Sequence, residues 1–355
     1  MFSGWGAIPS VCTQFARRLL REFDEVAIHS YNGGAFLDPA LHNVAFVNPE
    51  AAVGVFYGFP NEIAPEFFAH PVRIGGFVCE TDRIAPDWVE VCNRLHLVIV
   101  PSTFCRTAFL ESGVNVPVMV VPHGLEPEYR PYKEKTRSTP FVFYNTCFAS
   151  SHLDRKSVEE LVRAFLRAFG SDGTKCVLRL RTEISRQLID IRLRHDFGRA
   201  IQLDPLVGIG VERFACIYSD VHCTVHPSKG EGFGLIPLQS IACETPVIAP
   251  AVTGMADYLN ESNALCLRTS GRAAGRGAGN QAGTFYGVDE DHLVELLRRV
   301  YLSWEDEYAK VRRAAPSVRE RYHWDTVLSS FVDVIRTALS AADAGAFCAR
   351  YGANP

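Results

Sequence analysis

Short β-branched runs alternate with amphipathic helical patterns along this chain, and no other feature of the sequence limits its folding as much. Strand-like runs occur at Glu25–His29, Ala52–Tyr57, Val72–Cys79, Leu95–Val100 and Val118–Val121, then at Phe141–Tyr144, Cys176–Leu180 and Val221–Val225. Such alternation predicts parallel sheets covered by helices, an α/β fold whose ligands bind at the carboxyl ends of the strands. At roughly 100–200 residues per domain, the 355 residues are enough for two domains. Glu126–Pro140 carries prolines and charges with little apolar content and reads as the connection, so that residues 1–130 and 137–323 form separate domains. Thr269–Gly283, rich in Gly, Ala and Arg and lacking periodicity, reads as a surface loop. Helices are predicted over Asp291–Tyr301, Trp304–Arg321 and Asp325–Ala338, the last with Asp325 as its start signal.

Composition narrows the partners. The 47% apolar and 21% charged content is that of a globular protein. The formal charge of −4 offers no overall attraction to a phosphate backbone, so nucleic acid is not an expected partner. Eleven cysteines are scattered without a C-x-x-C pair or a Cys/His cluster of metal-ligand spacing, which predicts reduced thiols in a cytoplasmic protein. No basic segment followed by an apolar run opens the sequence, and no stretch approaches the roughly 18 apolar residues of a membrane span.

The strongest chemical signal is His226-Pro227-Ser228-Lys229-Gly230-Glu231-Gly232-Phe233-Gly234-Leu235-Ile236-Pro237-Leu238-Gln239, directly after the apolar run Val221–Val225. It reads as a strand, a glycine-rich turn and a helix. Gly230, Gly232 and Gly234 let backbone approach a ligand, and free N–H groups at the helix start suit a diphosphate. Glu231 is placed to accept hydrogen bonds from sugar hydroxyls.

The run resembles the donor-binding signature of family-4 retaining glycosyltransferases, H-P-S-x-x-E-G-F-G-L-x-x-L-E. A C-x-T-P-V-I-A segment follows at Cys243–Ala249. The resemblance implies the GT-B architecture, with two Rossmann-like parallel-sheet domains facing across a cleft. It also implies transfer of a sugar from a UDP-, GDP- or ADP-linked donor to a hydroxyl acceptor, glycan or lipid-linked, with retention of configuration. The segment from Trp324-Asp325 through residue 345 resembles the family's carboxyl-terminal helix, which crosses back to the first domain. The donor-side residues so implied are Gly232, Phe233, Gly234, Leu235, Gln239 and Gly254, the last within the turn Thr253-Gly254-Met255. The sequence departs from the pattern at Gln239, where the family has a second glutamate that holds the ribose hydroxyls. A glutamine accepts through its amide oxygen, without the charge that roughly doubles the strength of such a bond. A binding-only relative with weakened catalysis is the alternative this departure leaves open.

Asp154-Arg155-Lys156-Ser157, ahead of the helical pattern Val158–Phe169, resembles the family's R-K-N element. Fixed cations there would neutralise charge developing on a departing diphosphate, a role expected of Lys156 and Arg155. A solvated basic turn is the competing reading. The one D-x-D match, Asp289-Glu290-Asp291, opens a predicted helix where acidic residues suit the dipole, so neither a catalytic metal nor another cofactor is expected.

In the first domain Glu80, at the end of the Val72–Cys79 run, stands where many family members place a histidine. It would face the reacting sugar or cap the next helix. Ser3-Gly4-Trp5-Gly6 resembles the glycine-rich loop ahead of the family's first helix, which makes Gly4 and Gly6 candidate donor contacts, although no strand precedes them here. Pro122-His123-Gly124 matches the turn before the hinge, with His123 structural. The predicted helix Val11–Phe23 sets Arg17, Arg18 and Arg21 against Phe15, Leu19, Leu20 and Phe23. Such a helix covers a sheet or docks peripherally on anionic lipid at the inner membrane face.

Overall fold

The computed structural model describes residues 7–28, 41, 48, 50–147, 153–205, 209–276, 282–341 and 343–351. The chain divides into two compact units, one of Met1–Gly124, Arg276–Gly283 and Tyr322–Pro355, the other of Leu125–Gly275 and Thr284–Arg321.

The first unit contains α1 (Ala7–Glu22), β1 (Val53–Tyr57), β2 (Val72–Gly76), α2 (Pro86–Cys92), β3 (Leu97–Val100), α3 (Thr103–Glu111) and β4 (Val118–Val120). Its strands form a sheet in the order β1-β2-β3-β4, and each recorded pairing is parallel. Phe77, Trp88, Val98, Val100 and Phe109 fill its core, with Phe77 and Phe109 stacked at 6.2 Å between ring centroids. Ser102 starts α3 by accepting from the Cys105 N–H at 3.2 Å. α1 buries Val11, Cys12, Phe15 and Ala16, as a helix covering a sheet would. The strand expected at Glu25–His29 is not found: residues 25–28 have no regular structure, and His29 lies outside the described residues.

The second unit runs β5 (Phe141–Cys147), α4 (Val158–Phe169), β6 (Cys176–Thr182), α5 (Arg186–Arg194), β7 (Ile201–Pro205), α6 (Val211–Asp220), β8 (Cys223–Val225), α7 (Leu235–Ala242), β9 (Val247–Ala249), β10 (Leu265–Cys266), β11 (Thr269–Arg276), β12 (Ala282–Val288), α8 (Glu290–Leu302) and α9 (Trp304–Arg321). Strand order β10-β9-β8-β5-β6-β7 is the doubly wound arrangement, and the order reverses between β5 and β8. The apolar runs are continuous because both sheet faces are covered: Phe143, Val162 and Phe165 are buried on one side, Tyr144 and Tyr218 on the other.

Thr269–Gly283, expected as a surface loop, instead contributes β11 and the start of β12 in a two-stranded sheet. Glycine-rich composition hides a strand whose ladder depends on backbone groups rather than side-chain alternation. The connecting segment read from Glu126–Pro140 is also less solvated than its composition suggests. Lys135 is buried, and its ammonium donates to the carbonyls of Tyr218, in the last turn of α6, and of Val221 just after it, at 2.8 Å.

The chain then returns to the first unit with α10 (Trp324–Val327), α11 (Ser329–Ser340) and α12 (Ala344–Arg350). Trp324 lies so close against Gly124 that a Cβ there would meet its ring at 2.5 Å. Asp325 pairs with Arg18 at 2.8 Å and with Arg21. Among the described residues no helix is long and apolar enough to cross a membrane, and all eleven cysteines are free thiols.

Candidate functional site

The loops that leave β5 and β8 emerge on either side of the strand-order reversal, where a doubly wound sheet opens a crevice. After β5, Asp154–Ser157 makes a turn closed by the Ser157 N–H on the Asp154 carbonyl at 3.0 Å. Ser157 sits in the left-handed region at φ 53°, wholly buried, and its hydroxyl has no hydrogen-bond partner among the described residues. That conformation costs a non-glycine residue on the order of 1–2 kcal/mol, and here it delivers Lys156 and Arg155 toward the loop after β8.

Hydrogen bonds to backbone carbonyls and ion pairs join the two loops. The Lys229 N–H donates to the Arg155 carbonyl at 2.8 Å, Arg155 Nη1 donates to the Gly230 carbonyl at 2.7 Å, and Lys156 Nζ is ion-paired with Glu231 Oε1. Arg155 Nη1 stands 3.5 Å from Glu231 Oε2, and His226 Nε2 lies 2.9 Å from Oε1. Glu231 is only 8% exposed. Burial pushes its carboxyl pKa up, but Lys156, Arg155 and the His226 hydrogen bond outweigh that effect and hold it well below the usual range. His226 is shifted down, chiefly by burial, with Glu231 opposing and the two cations assisting. The carboxylate is therefore ionised, with a neutral imidazole beside it at neutral pH.

The glycine positions are explained by close approach. Gly234 has φ 87°, precedes the first residue of α7, Leu235, and lies against Met255, whose Cγ would be 2.5 Å from an added Cβ. Its carbonyl accepts from the Tyr258 hydroxyl, and Phe233 is buried beside that ring. Gly254 donates its N–H to the Glu231 carbonyl at 2.9 Å, and a Cβ there would be 2.1 Å from the Gly232 oxygen. Thr253 completes the turn, its Oγ1 accepting from the Glu231 N–H at 3.1 Å. The start of α7 carries no side-chain cap, so its first amide groups are free of one.

Of the residues singled out from sequence, the second unit thus brings together Glu231, Lys156, Arg155, Gly232, Phe233, Gly234, Leu235 and Gly254. Gln239 is also buried on α7, but its amide oxygen, expected to be available to a ligand, accepts from the Tyr218 hydroxyl at 3.0 Å. Glu80 follows β2 in the first unit. The next helix, α2, begins after Ala85. Gly4 and Gly6 lie outside the described residues. His123 is buried and hydrogen-bonds Tyr57 through Nε2 at 2.7 Å, a packing role. Asp289 caps α8 by accepting from the His292 N–H, while Glu290 and Asp291 pair with Arg163 and Arg167. Sequence reasoning missed Tyr218, and it missed Tyr286 of β12, whose N–H donates to the Lys229 carbonyl at 3.0 Å. Lys229 itself ties Asp154 and Glu160 at 2.7 and 2.8 Å, an interaction its lysine-in-a-glycine-turn setting could have signalled.

Residues 212–331 match the model of the family described as "Family 4 Glycosyltransferase in conflict systems". An uncharacterised glycosyltransferase of Methanocaldococcus jannaschii is 24% identical over 186 residues, 52% of this chain and 43% of that relative. The chain therefore spans less than half of the length of that curated relative. Among solved structures, sucrose-phosphate synthase from Thermosynechococcus elongatus superposes with a TM-score of 0.59 at 17% identity, covering 76% of this chain and 68% of its own. The Anabaena HepE protein, solved in complex with UDP-glucose, gives 0.61 at 14% identity, with 80% and 78% covered. These likenesses establish the GT-B fold and support a family-4-like glycosyltransferase.

Proposed function

We propose that this chain, family-4-like and GT-B by the likenesses above, transfers a sugar from a nucleoside diphosphate to an acceptor hydroxyl, with retention and without a metal ion. The observation that carries the reading is the buried cluster of Lys156, Arg155 and Glu231 beside the uncapped start of α7, at the reversal of strand order. A departing diphosphate gathers negative charge as the bond from the anomeric carbon to phosphate oxygen breaks. Two cations and helix-terminal amides are suited to that charge. The diphosphate would draw Lys156 toward itself, leaving Glu231, still beside Arg155 and His226, to accept from sugar hydroxyls.

Retention follows if the acceptor oxygen bonds to the anomeric carbon from the face the phosphate leaves. The acceptor proton then passes to the leaving phosphate oxygen, and the nucleoside diphosphate departs protonated, so no protein base is demanded. Catalysis rests on positioning and electrostatics. The UDP-glucose named in the HepE complex favours a uridine nucleotide as donor.

The test is release of nucleotide from UDP-, GDP- and ADP-sugars by the purified protein, with and without EDTA. Release that persists in EDTA is expected; a strict need for manganese would overturn the metal-free part. Gln239 in place of an acidic residue favours one second reading, a binding-only protein. Calorimetric binding of a nucleoside diphosphate with no release under any acceptor would select it.

A further inference from the structure

We infer that Tyr218 sets the hydrogen-bond polarity of Gln239, so that the glutamine offers its amide N–H groups, rather than its oxygen, to the ribose of the nucleoside diphosphate. This inference rests on the donor reading above and concerns one position within it.

Gln239 lies one turn into α7 from Leu235, on a helix that starts at Gly234, and is 6% exposed. Its Oε1 accepts from the Tyr218 hydroxyl at 3.0 Å. Tyr218 is wholly buried on α6 among the rings of Tyr129, Tyr144 and Phe214, at centroid distances of 6.3, 6.2 and 5.6 Å. Its backbone carbonyl is also held, by Thr245 Oγ1 at 2.9 Å and by the ammonium of Lys135. The ring cannot swing its hydroxyl to water, and burial keeps the phenol protonated.

A buried phenol proton needs an acceptor, and among the described residues Gln239 Oε1 is the one it has. Turning the amide over would leave the phenol proton without its acceptor, a cost of about 1–3 kcal/mol for a buried group. The amide is thereby fixed with Nε2 pointing the other way, and among the described residues no group accepts from that nitrogen. A carboxylate at this position would only accept. The amide held by Tyr218 directs its N–H groups away from the phenol, and the counterpart of such a donor is a lone pair of a ribose hydroxyl oxygen.

Tyr218 is thus a positioning residue: it acts on the ligand through Gln239. Isothermal titration with UDP, GDP and ADP identifies the nucleotide bound best, and inorganic pyrophosphate, which has no ribose, is the control. Tyr218→Phe frees the amide to rotate and is expected to weaken the nucleotide by about three- to tenfold while leaving pyrophosphate unchanged. Gln239→Met, which keeps the side-chain volume, is expected to do the same without disturbing the buried ring cluster. The double variant is expected to lose no more than Gln239→Met alone, because both changes remove one interaction.

Unchanged nucleotide binding in Gln239→Met, or a Tyr218→Phe loss equal for nucleotide and pyrophosphate, would overturn the inference and leave the donor reading intact. Failure of the unaltered protein to bind any of the three nucleotides would remove the donor reading, and this inference with it.

Discussion

Lys156, on the turn ahead of α4, is ion-paired with Glu231, on the loop after β8, across 75 residues of sequence. The two charges stand on loops after different strands, and the reversal of strand order between β5 and β8 makes them neighbours. Glu231 also has Arg155 at 3.5 Å and His226 at 2.9 Å, so Lys156 is the foremost but not the sole support of its ionised form. This division allows the cation to engage a diphosphate without leaving a buried charge alone.

Replacement of Lys156 by alanine is accordingly expected to act on turnover more than on folding. Loss of one preorganised charge at a leaving group costs about 100- to 1000-fold in rate. Nucleotide release from the donor should fall by that order, while the melting temperature stays close to that of the unaltered protein. Lys156→Arg should recover part of the rate, because the charge returns with a different shape. Near-normal release from Lys156→Ala would remove the residue from the mechanism.

Ser157 holds a strained conformation in the same turn. Its φ of 53° and its buried hydroxyl, which has no partner among the described residues, both oppose folding. Ser157→Gly relieves both and adds backbone entropy to the unfolded chain, which offsets part of the gain. A net stabilisation of about 1 kcal/mol is expected, seen as a rise of roughly 2–4 °C in melting temperature. Slower turnover should accompany it, because the relaxed turn holds Lys156 and Arg155 less firmly. A fall in melting temperature would show that the left-handed geometry is supported by its surroundings.

How much of this was legible in the sequence follows from which interactions are local. The strand, glycine turn and helix around Gly234 are written in consecutive residues, because a left-handed position and a close approach each demand glycine. Resemblance assigned Arg155, Lys156 and Glu231 to one donor site, but their pairing with each other was not foreseen, since no local pattern joins positions 75 apart. The lock of Tyr218 on Gln239 was not legible at all: helical spacing predicts α6, and nothing in it says where one buried hydroxyl points. The same holds for Lys135, whose charged neighbours suggested a solvated connection, while the fold placed its ammonium against the carbonyls at the end of α6. β11 and β12 were hidden for a different reason. Their glycine-rich residues carry no alternation, and they pair with each other through main-chain groups.

Gly254 tests the turn that backs the Glu231 loop. An added methyl group would be 2.1 Å from the Gly232 oxygen, a backbone atom that has no flexible side chain to yield. Gly254→Ala must push the two loops apart and stretch the 2.9 Å bond from its N–H to the Glu231 carbonyl. A loss of about 2 kcal/mol in denaturant unfolding is expected, together with weaker binding of the nucleoside diphosphate. Unchanged stability would mean that the turn moves freely and does not brace the site.

His123 predicts how stability responds to acid. Its imidazole is buried against Tyr57, and burial depresses its pKa from 6.5 to about 3. The unfolded chain takes up this proton near pH 6.5, whereas the folded one resists until about pH 3. Between those values the unfolded state binds more protons, so the contribution is complete above pH 6.5 and shrinks as pH falls through the window. Each pH unit within it removes up to about 1.4 kcal/mol, or on the order of 3 kcal/mol by pH 4. Buried His222 and His226, also shifted down, act in the same direction, so the test is a difference between two proteins. His123→Gln keeps a polar partner for Tyr57 but does not titrate. Its unfolding free energy measured from pH 7 to pH 4 should fall less steeply than that of the unaltered protein, and parallel curves would show that His123 is charged or hydrated within the fold.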